Sequence, residues 1–165
     1  MDNKNSIDLC EAVLSDAVHA QAILNLLSIY ALDPMGGGES LSDYAKKNLI
    51  AELANRSDNL IILAFDKNRP VGLVNCFEGF STFVCKPLLN LHDVIVHPEY
   101  RGRGISTMML KKIEELARSR GYCKLTLEVL DGNMPAKASY LKSGFRPYQL
   151  DPEMGQALFW EKKLD

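Results

Sequence analysis

Apolar and polar side chains alternate along Ile7-Asp8-Leu9-Cys10-Glu11-Ala12-Val13, the period-two pattern of a half-buried strand. The period then lengthens. Ser15-Asp16 supplies an N-cap for a helix to about Tyr30, with Ala20, Ile23 and Leu27 on one face. Asp33-Pro34-Met35-Gly36-Gly37-Gly38 reads as a loop with no residue able to hold it in a helix. A second helix is predicted from about Ser42 to Ala54, with Tyr44, Leu49 and Leu53 facing inward. Residues 60–65 and 71–77 read as the strands of a hairpin turned at 66–70. A strand at 91–96 follows, then a helix from about Gly104 to Arg120 with Ile105, Met109, Ile113 and Leu116 as its stripe and Gly121 as its stop. Residues 124–129 are predicted as strand, 133–142 as a short helix ended by Gly144, and 157–160 as a last strand. This order, without repeat or linker, describes one α/β domain over residues 1–165 with mixed strand directions.

Charge sharpens that outline. The net charge is only −2, but residues 1–60 carry nine acidic and four basic side chains, whereas residues 98–146 carry ten basic and five acidic. An anionic ligand suits the second segment, and a cationic one suits the first. The basic residues lack interleaved aromatic platforms, so nucleic acid is not an expected partner. The longest apolar run, residues 60–65, is too short to cross a bilayer, and Met1-Asp2-Asn3-Lys4-Asn5-Ser6 lacks a signal-peptide pattern. A cytoplasmic setting without membrane attachment is the expectation. Cys10, Cys76, Cys85 and Cys123 show neither CxxC spacing nor histidines at zinc-site distances, so they are expected to be small buried hydrophobes, and no metal is indicated.

The chemistry concentrates at His97-Pro98-Glu99-Tyr100-Arg101-Gly102-Arg103-Gly104-Ile105-Ser106-Thr107, between a strand and a helix. A glycine-containing turn there leaves backbone N–H groups at the helix start to receive phosphate. A P-loop needs GxxxxGK followed by Ser or Thr, which is absent, and Gly102-Arg103-Gly104-Ile105-Ser106-Thr107 lacks the third glycine of a dinucleotide fingerprint.

Arg101-Gly102-Arg103-Gly104-Ile105-Ser106 does resemble Q/R-x-x-G-x-G/A, the pyrophosphate loop of the GNAT acetyltransferases, with Ser106 where that family prefers glycine or alanine. Val94-Ile95-Val96-His97-Pro98-Glu99-Tyr100 before it, and Asn133, Ala136, Tyr140, Gly144 and Phe145 after it, resemble the same superfamily. Phe80-Ser81-Thr82-Phe83-Val84-Cys85-Lys86-Pro87-Leu88-Leu89-Asn90-Leu91-His92-Asp93 is similar to the segment before the cofactor strand in spermidine/spermine and thialysine N-acetyltransferases, with His92 where an acidic residue is common.

The resemblance implies a mostly antiparallel mixed sheet flanked by helices, with a splayed parallel strand pair holding acetyl-CoA. It implies that the backbone of Gly102, Arg103, Gly104, Ile105, Ser106 and Thr107 holds the diphosphate, with charge from Arg101 and Arg103. Val94, Ile95 and Val96 would meet the pantetheine arm through main-chain atoms, and Asn133 would touch the cofactor. Tyr140 would protonate the departing thiolate. Histidine's ordinary pKa of about 6.5 suits His92 as the base that neutralises an amine, directly or through water. Asp93 and Glu78 are acidic groups able to hold a cationic amine. The activity so implied is acetyl transfer to a small-molecule amine (polyamine, diamine or basic amino acid) by direct attack in a ternary complex, within a homodimer. Two alternatives remain open: acetylation of proteins or peptides, and a non-catalytic CoA-binding sensor.

Overall fold

Four strands are strung antiparallel, and a short fifth joins parallel to the last of them. The computed structural model describes residues 7–164. In chain order the elements are β1 (Ile7–Glu11), α1 (Ala17–Leu32), α2 (Asp43–Ala54), β2 (Asn59–Asp66), β3 (Arg69–Ser81), β4 (Lys86–Val96), α3 (Ile105–Ser119), β5 (Leu125–Leu127) and α4 (Met134–Lys142). The sheet order is β1-β2-β3-β4-β5, with β4 and β5 the parallel pair. The chain divides into two compact units, Met1–Leu127 and Glu128–Asp165. The first holds the whole sheet, and α4 belongs to the second.

Period-two burial assigns the two faces of the sheet. Ile61, Leu63 and Phe65 of β2, Leu73 of β3 and Ile95 of β4 cluster with Ala22, Ile23, Leu26 and Leu27 of α1 and Leu53 of α2. One position along from Leu73, Gly72 faces the other way: a Cβ there would come within 2.9 Å of Met109 and 3.2 Å of Ile105, both on α3. The missing side chain therefore lets α3 lie close against the sheet. Asp16 caps α1 by accepting from Val18 and His19 at 2.8 and 3.1 Å, which holds its carboxyl below the usual range. Ser42 caps α2 through the Ala45 N–H.

Five local expectations change. Asp33 to Gly38 is not a bare loop: Asp33 caps a 3-10 turn over Pro34–Gly36. Tyr44 is 71% exposed, because it lies in the first turn of α2, off the core-facing side. The central hairpin is longer than its apolar pattern suggests, because cross-strand bonds carry β3 through Glu78, Gly79 and Phe80 despite the broken alternation. Cys85 and Cys123 are exposed, unlike Cys76. Residues 157–160 form no strand, since their segment finds only the isolated bridge between Gln149 and Gln156, and Leu158, Phe159 and Trp160 stay exposed. Apolar content alone does not make a strand without a pairing partner.

Candidate active site

The register of β4 sets the geometry. Asn75 pairs with Asp93, but Cys76 pairs with Leu91, so His92 is an extra residue opposite no partner on β3. Such a bulge swings adjacent side chains onto one face. On β4's other edge the parallel ladder joins only Leu89–Leu125, Asn90–Thr126 and Leu91–Leu127. From His92 to Val96 the edge has no β5 partner, so bulge and splay begin at the same point. The open segment contains Val94, Ile95 and Val96, with Ile95 buried in the core cluster.

After Val96 the chain makes a 3-10 turn, Pro98–Tyr100, fixed by polar contacts. The buried Tyr100 donates its hydroxyl to Asp66 at 2.9 Å, while the Arg69 and Arg103 guanidiniums lie 5.2 and 4.5 Å from its ring centroid. Arg69 pairs with Glu99, and Arg103 donates to the Glu99 carbonyl. Arg101 reaches Asp33 at 2.7 Å and the Val96 carbonyl at 3.2 Å. The two loop arginines thus spend charge on holding the protein together. Arg101 depresses the Asp33 carboxyl below its ordinary pKa, with help from the Met35 N–H.

Gly102 and Gly104 have φ of 78° and 79°, the left-handed region that glycine enters without a Cβ penalty. Gly104 is the N-cap of α3, and no side chain caps that helix. The first helical rung runs from the Met108 N–H to the Gly104 carbonyl at 3.1 Å, so the N–H groups of Ile105, Ser106 and Thr107 lie ahead of the ladder. The first turn has no acidic residue, and a Cβ on either glycine would meet nothing within 4 Å. A positive helix end beside two glycines that leave room for a ligand fits a diphosphate.

On the α1 face, the Asn75 amide donates to Asp93 at 2.9 Å, and His92 Nδ1 lies 3.3 Å from the same carboxylate oxygen. The His92 ring meets Phe77 edge-on at 5.6 Å, and the Arg56 guanidinium lies 5.0 Å from the Phe77 centroid. Burial, followed by the Asp93 and Asp33 charges, raises the Tyr30 pKa. Glu78 is placed elsewhere: it accepts from Tyr122 at 2.8 Å, and burial with this bond pushes Tyr122 up to about 12. In the second unit, Asn133 caps α4 by accepting from Ala136 at 3.2 Å, and the half-buried Tyr140 ring packs against Phe145 at 5.9 Å. Sequence reasoning missed Asn75, whose one signal is a polar residue inside an apolar strand, and Asp33, whose partner is 68 residues away.

Among the described residues no helix is long and apolar enough to cross a membrane, and no group of three or more metal-ligating side chains occurs. The chain belongs to the acetyltransferase (GNAT) family, whose model matches residues 23–145. It is 44% identical over 74 residues to a thialysine N-epsilon-acetyltransferase of Bos taurus, covering 45% of this chain and 43% of that protein. It is 35% identical over 78 residues to the one of Caenorhabditis elegans, covering 47% and 48%. The aligned stretch thus spans about half the length of these relatives. In fold it is similar to an aminoglycoside N-acetyltransferase solved in complex with CoA, at TM-score 0.73, 12% identity and 99% coverage of both chains.

Proposed function

We propose that this chain transfers an acetyl group from acetyl-CoA to the primary amine of a small cationic molecule, a polyamine, diamine or basic amino acid. One observation carries the reading: a strand splayed from its parallel neighbour runs into two left-handed glycines and a helix start with no side-chain cap. The main chain from Gly102 to Thr107 would hold the diphosphate, and the open β4 edge at Val94, Ile95 and Val96 would bond the extended arm. When bound, acetyl-CoA supplies an activated thioester. Asp93 attracts the ammonium, His92 takes its proton, and Tyr140 returns a proton to the departing sulfur. The thialysine relatives and the aminoglycoside enzyme are named for acetylating amine-bearing compounds, which supports this acceptor class. The same reading takes the enzyme as a cytoplasmic homodimer, following the resemblance.

The test is turnover with a panel of polyamines, diamines and basic amino acids beside lysine peptides and peptide N-termini. The small amines are expected to react with kcat/KM at least tenfold higher. Activity confined to peptides would overturn the acceptor assignment. Tyr140→Phe is expected to cut kcat about 10²-fold with CoA affinity kept, and a native protein that binds CoA yet acetylates none of these acceptors would instead be a sensor.

A further inference from the structure

We propose that Arg56 and Asp58 form a subsite for the α-carboxylate and α-ammonium of the acceptor, which makes that acceptor a basic amino acid rather than a diamine or polyamine. The inference rests on the reading of Asp93 as the group that attracts the reacting ammonium. Sheet register lays the two ends on one diagonal. Asp93 pairs with Asn75, and Phe77, two residues further along β3, pairs with Asn59 of β2. Phe77 packs against the cluster under α1 and α2, and Arg56 follows the end of α2 three residues before Asn59. The Asp93 end lies where β5 parts from β4, just past the pair Leu91–Leu127.

At the other end stands an ion pair already held in place. Asp58 accepts from Arg56 Nε and Nη2 at 2.8 and 2.6 Å, and the guanidinium carbon lies 5.0 Å from the Phe77 ring centroid. The backbone is fixed as well. The Arg56 N–H donates to the Leu53 carbonyl at 3.1 Å, and the Asp58 carbonyl accepts from the Glu78 N–H at 2.7 Å. A guanidinium carries five N–H donors in a planar fork. Asp58 uses the Nε edge, and the end-on edge of Nη1 and Nη2 meets no other acceptor among the described residues. That edge fits a carboxylate through two parallel bonds. The Asp58 carboxyl, held below its ordinary pKa by the Arg56 bond, is anionic beside it and suits an ammonium. The two side chains are 50% and 36% exposed, and ion pairs so open to water do little for folding.

The order along the diagonal is carboxylate, rings, ion pair. Among the described residues Asp93 has no Lys or Arg partner. From it the steps are 3.3 Å to His92 Nδ1, 5.6 Å between the His92 and Phe77 centroids, and 5.0 Å to Arg56. A side chain of four methylenes sets its terminal nitrogen roughly 6 Å from Cα. A hydrogen bond adds about 3 Å at each end. A lysine-length amino acid therefore presents ammonium, methylene chain and zwitterion in the matching order and at a matching length, with its apolar chain along the rings. A diamine brings a second ammonium to a fork that only donates, and a polyamine brings several.

Titration of CoA-loaded protein with L-norleucine tests the subsite without turnover, since norleucine has the zwitterion and the chain but no reacting amine. It should bind, and Arg56→Met, which keeps an unbranched cover on Phe77, should weaken it at least tenfold. Arg56→Gln repeats the measurement should methionine disturb folding. At saturating acetyl-CoA, kcat/KM for L-lysine should exceed that for 1,5-diaminopentane, its analogue without the carboxylate, at least tenfold. Arg56→Met should erase that ratio through the lysine KM, with kcat moved little. Asp58→Asn should bring lysine down to the level of 6-aminohexanoate, which lacks the α-ammonium. The acetyl group should appear on the terminal nitrogen of lysine. A diamine used as well as lysine, a ratio unmoved in Arg56→Met, or acetylation of the α-nitrogen overturns the proposal and leaves amine acetylation standing. Norleucine binding that depends on Arg56, without acetylation of any amine, keeps the subsite and removes the transfer reading.

Discussion

Gly104 does its work through a backbone angle. Its φ of 79° turns the chain so that α3 begins at a glycine with room around it and no side-chain cap. An alanine there meets no atom within 4 Å, so its penalty is conformational, about 1–2 kcal/mol for a left-handed L-residue. Gly121, at φ 77° with equally open surroundings, is the matched control at the far end of the same helix. Gly104→Ala and Gly121→Ala should therefore lose similar stability, roughly 2–8 °C in Tm. Only Gly104→Ala should raise the KM for acetyl-CoA, by tenfold or more. Equal KM effects, measured by initial rates beside thermal scans, would mean the loop angle does not aim the N–H groups. The glycines and the donor end of α3 were legible in the sequence because they lie within a few residues. Asn75 was not, because its meaning comes from the residue across the sheet.

Between elements, Arg101 ties the end of β4 and the start of the loop to Asp33, which itself caps the turn after α1. The motif showed an arginine beside a phosphate site. It contained no trace of Asp33, and pairings at long sequence separation are set by topology. Asp33 has its carboxyl depressed first by the Arg101 bond and then by the Met35 N–H. A carboxylate whose folded pKa lies below its unfolded value adds stability that is fully present above about pH 4 and is lost as pH falls through the folded value. Asp33→Asn should thus lower Tm at pH 7 and shrink the drop in Tm between pH 5 and pH 3. A parallel downward displacement at all pH values would show that the pair's charge contributes nothing. Its acceptor KM should rise as well, because the loop after α1 loses its tether to the site.

Over the whole molecule, the sequence specified the order of helices and strands through α4, and the family model ends at residue 145. It misread residues 157–160, where periodicity registers apolar side chains but not whether a strand lies beside them. Charge is the other property that belongs to the whole chain. The balance of −5 over residues 1–60 against +5 over 98–146 hides inside a net −2. Several cations are already satisfied: Arg118 by Glu114, Arg120 by Glu11, Lys137 by Asp131 and Arg101 by Asp33. Fields of this kind act over the Debye length, about 10 Å at 0.1 M salt and about 3 Å at 1 M. A polyamine whose remaining charges feel the acidic segment should see its KM rise several-fold across that range. A monoamine of similar length with an uncharged tail makes the same reactive contact at Asp93 and His92 without the distant attraction, so its KM should change less. Initial rates for the two acceptors at saturating acetyl-CoA measure the difference. Parallel salt dependences would confine acceptor recognition to the reacting end of the amine and remove the acidic segment from it.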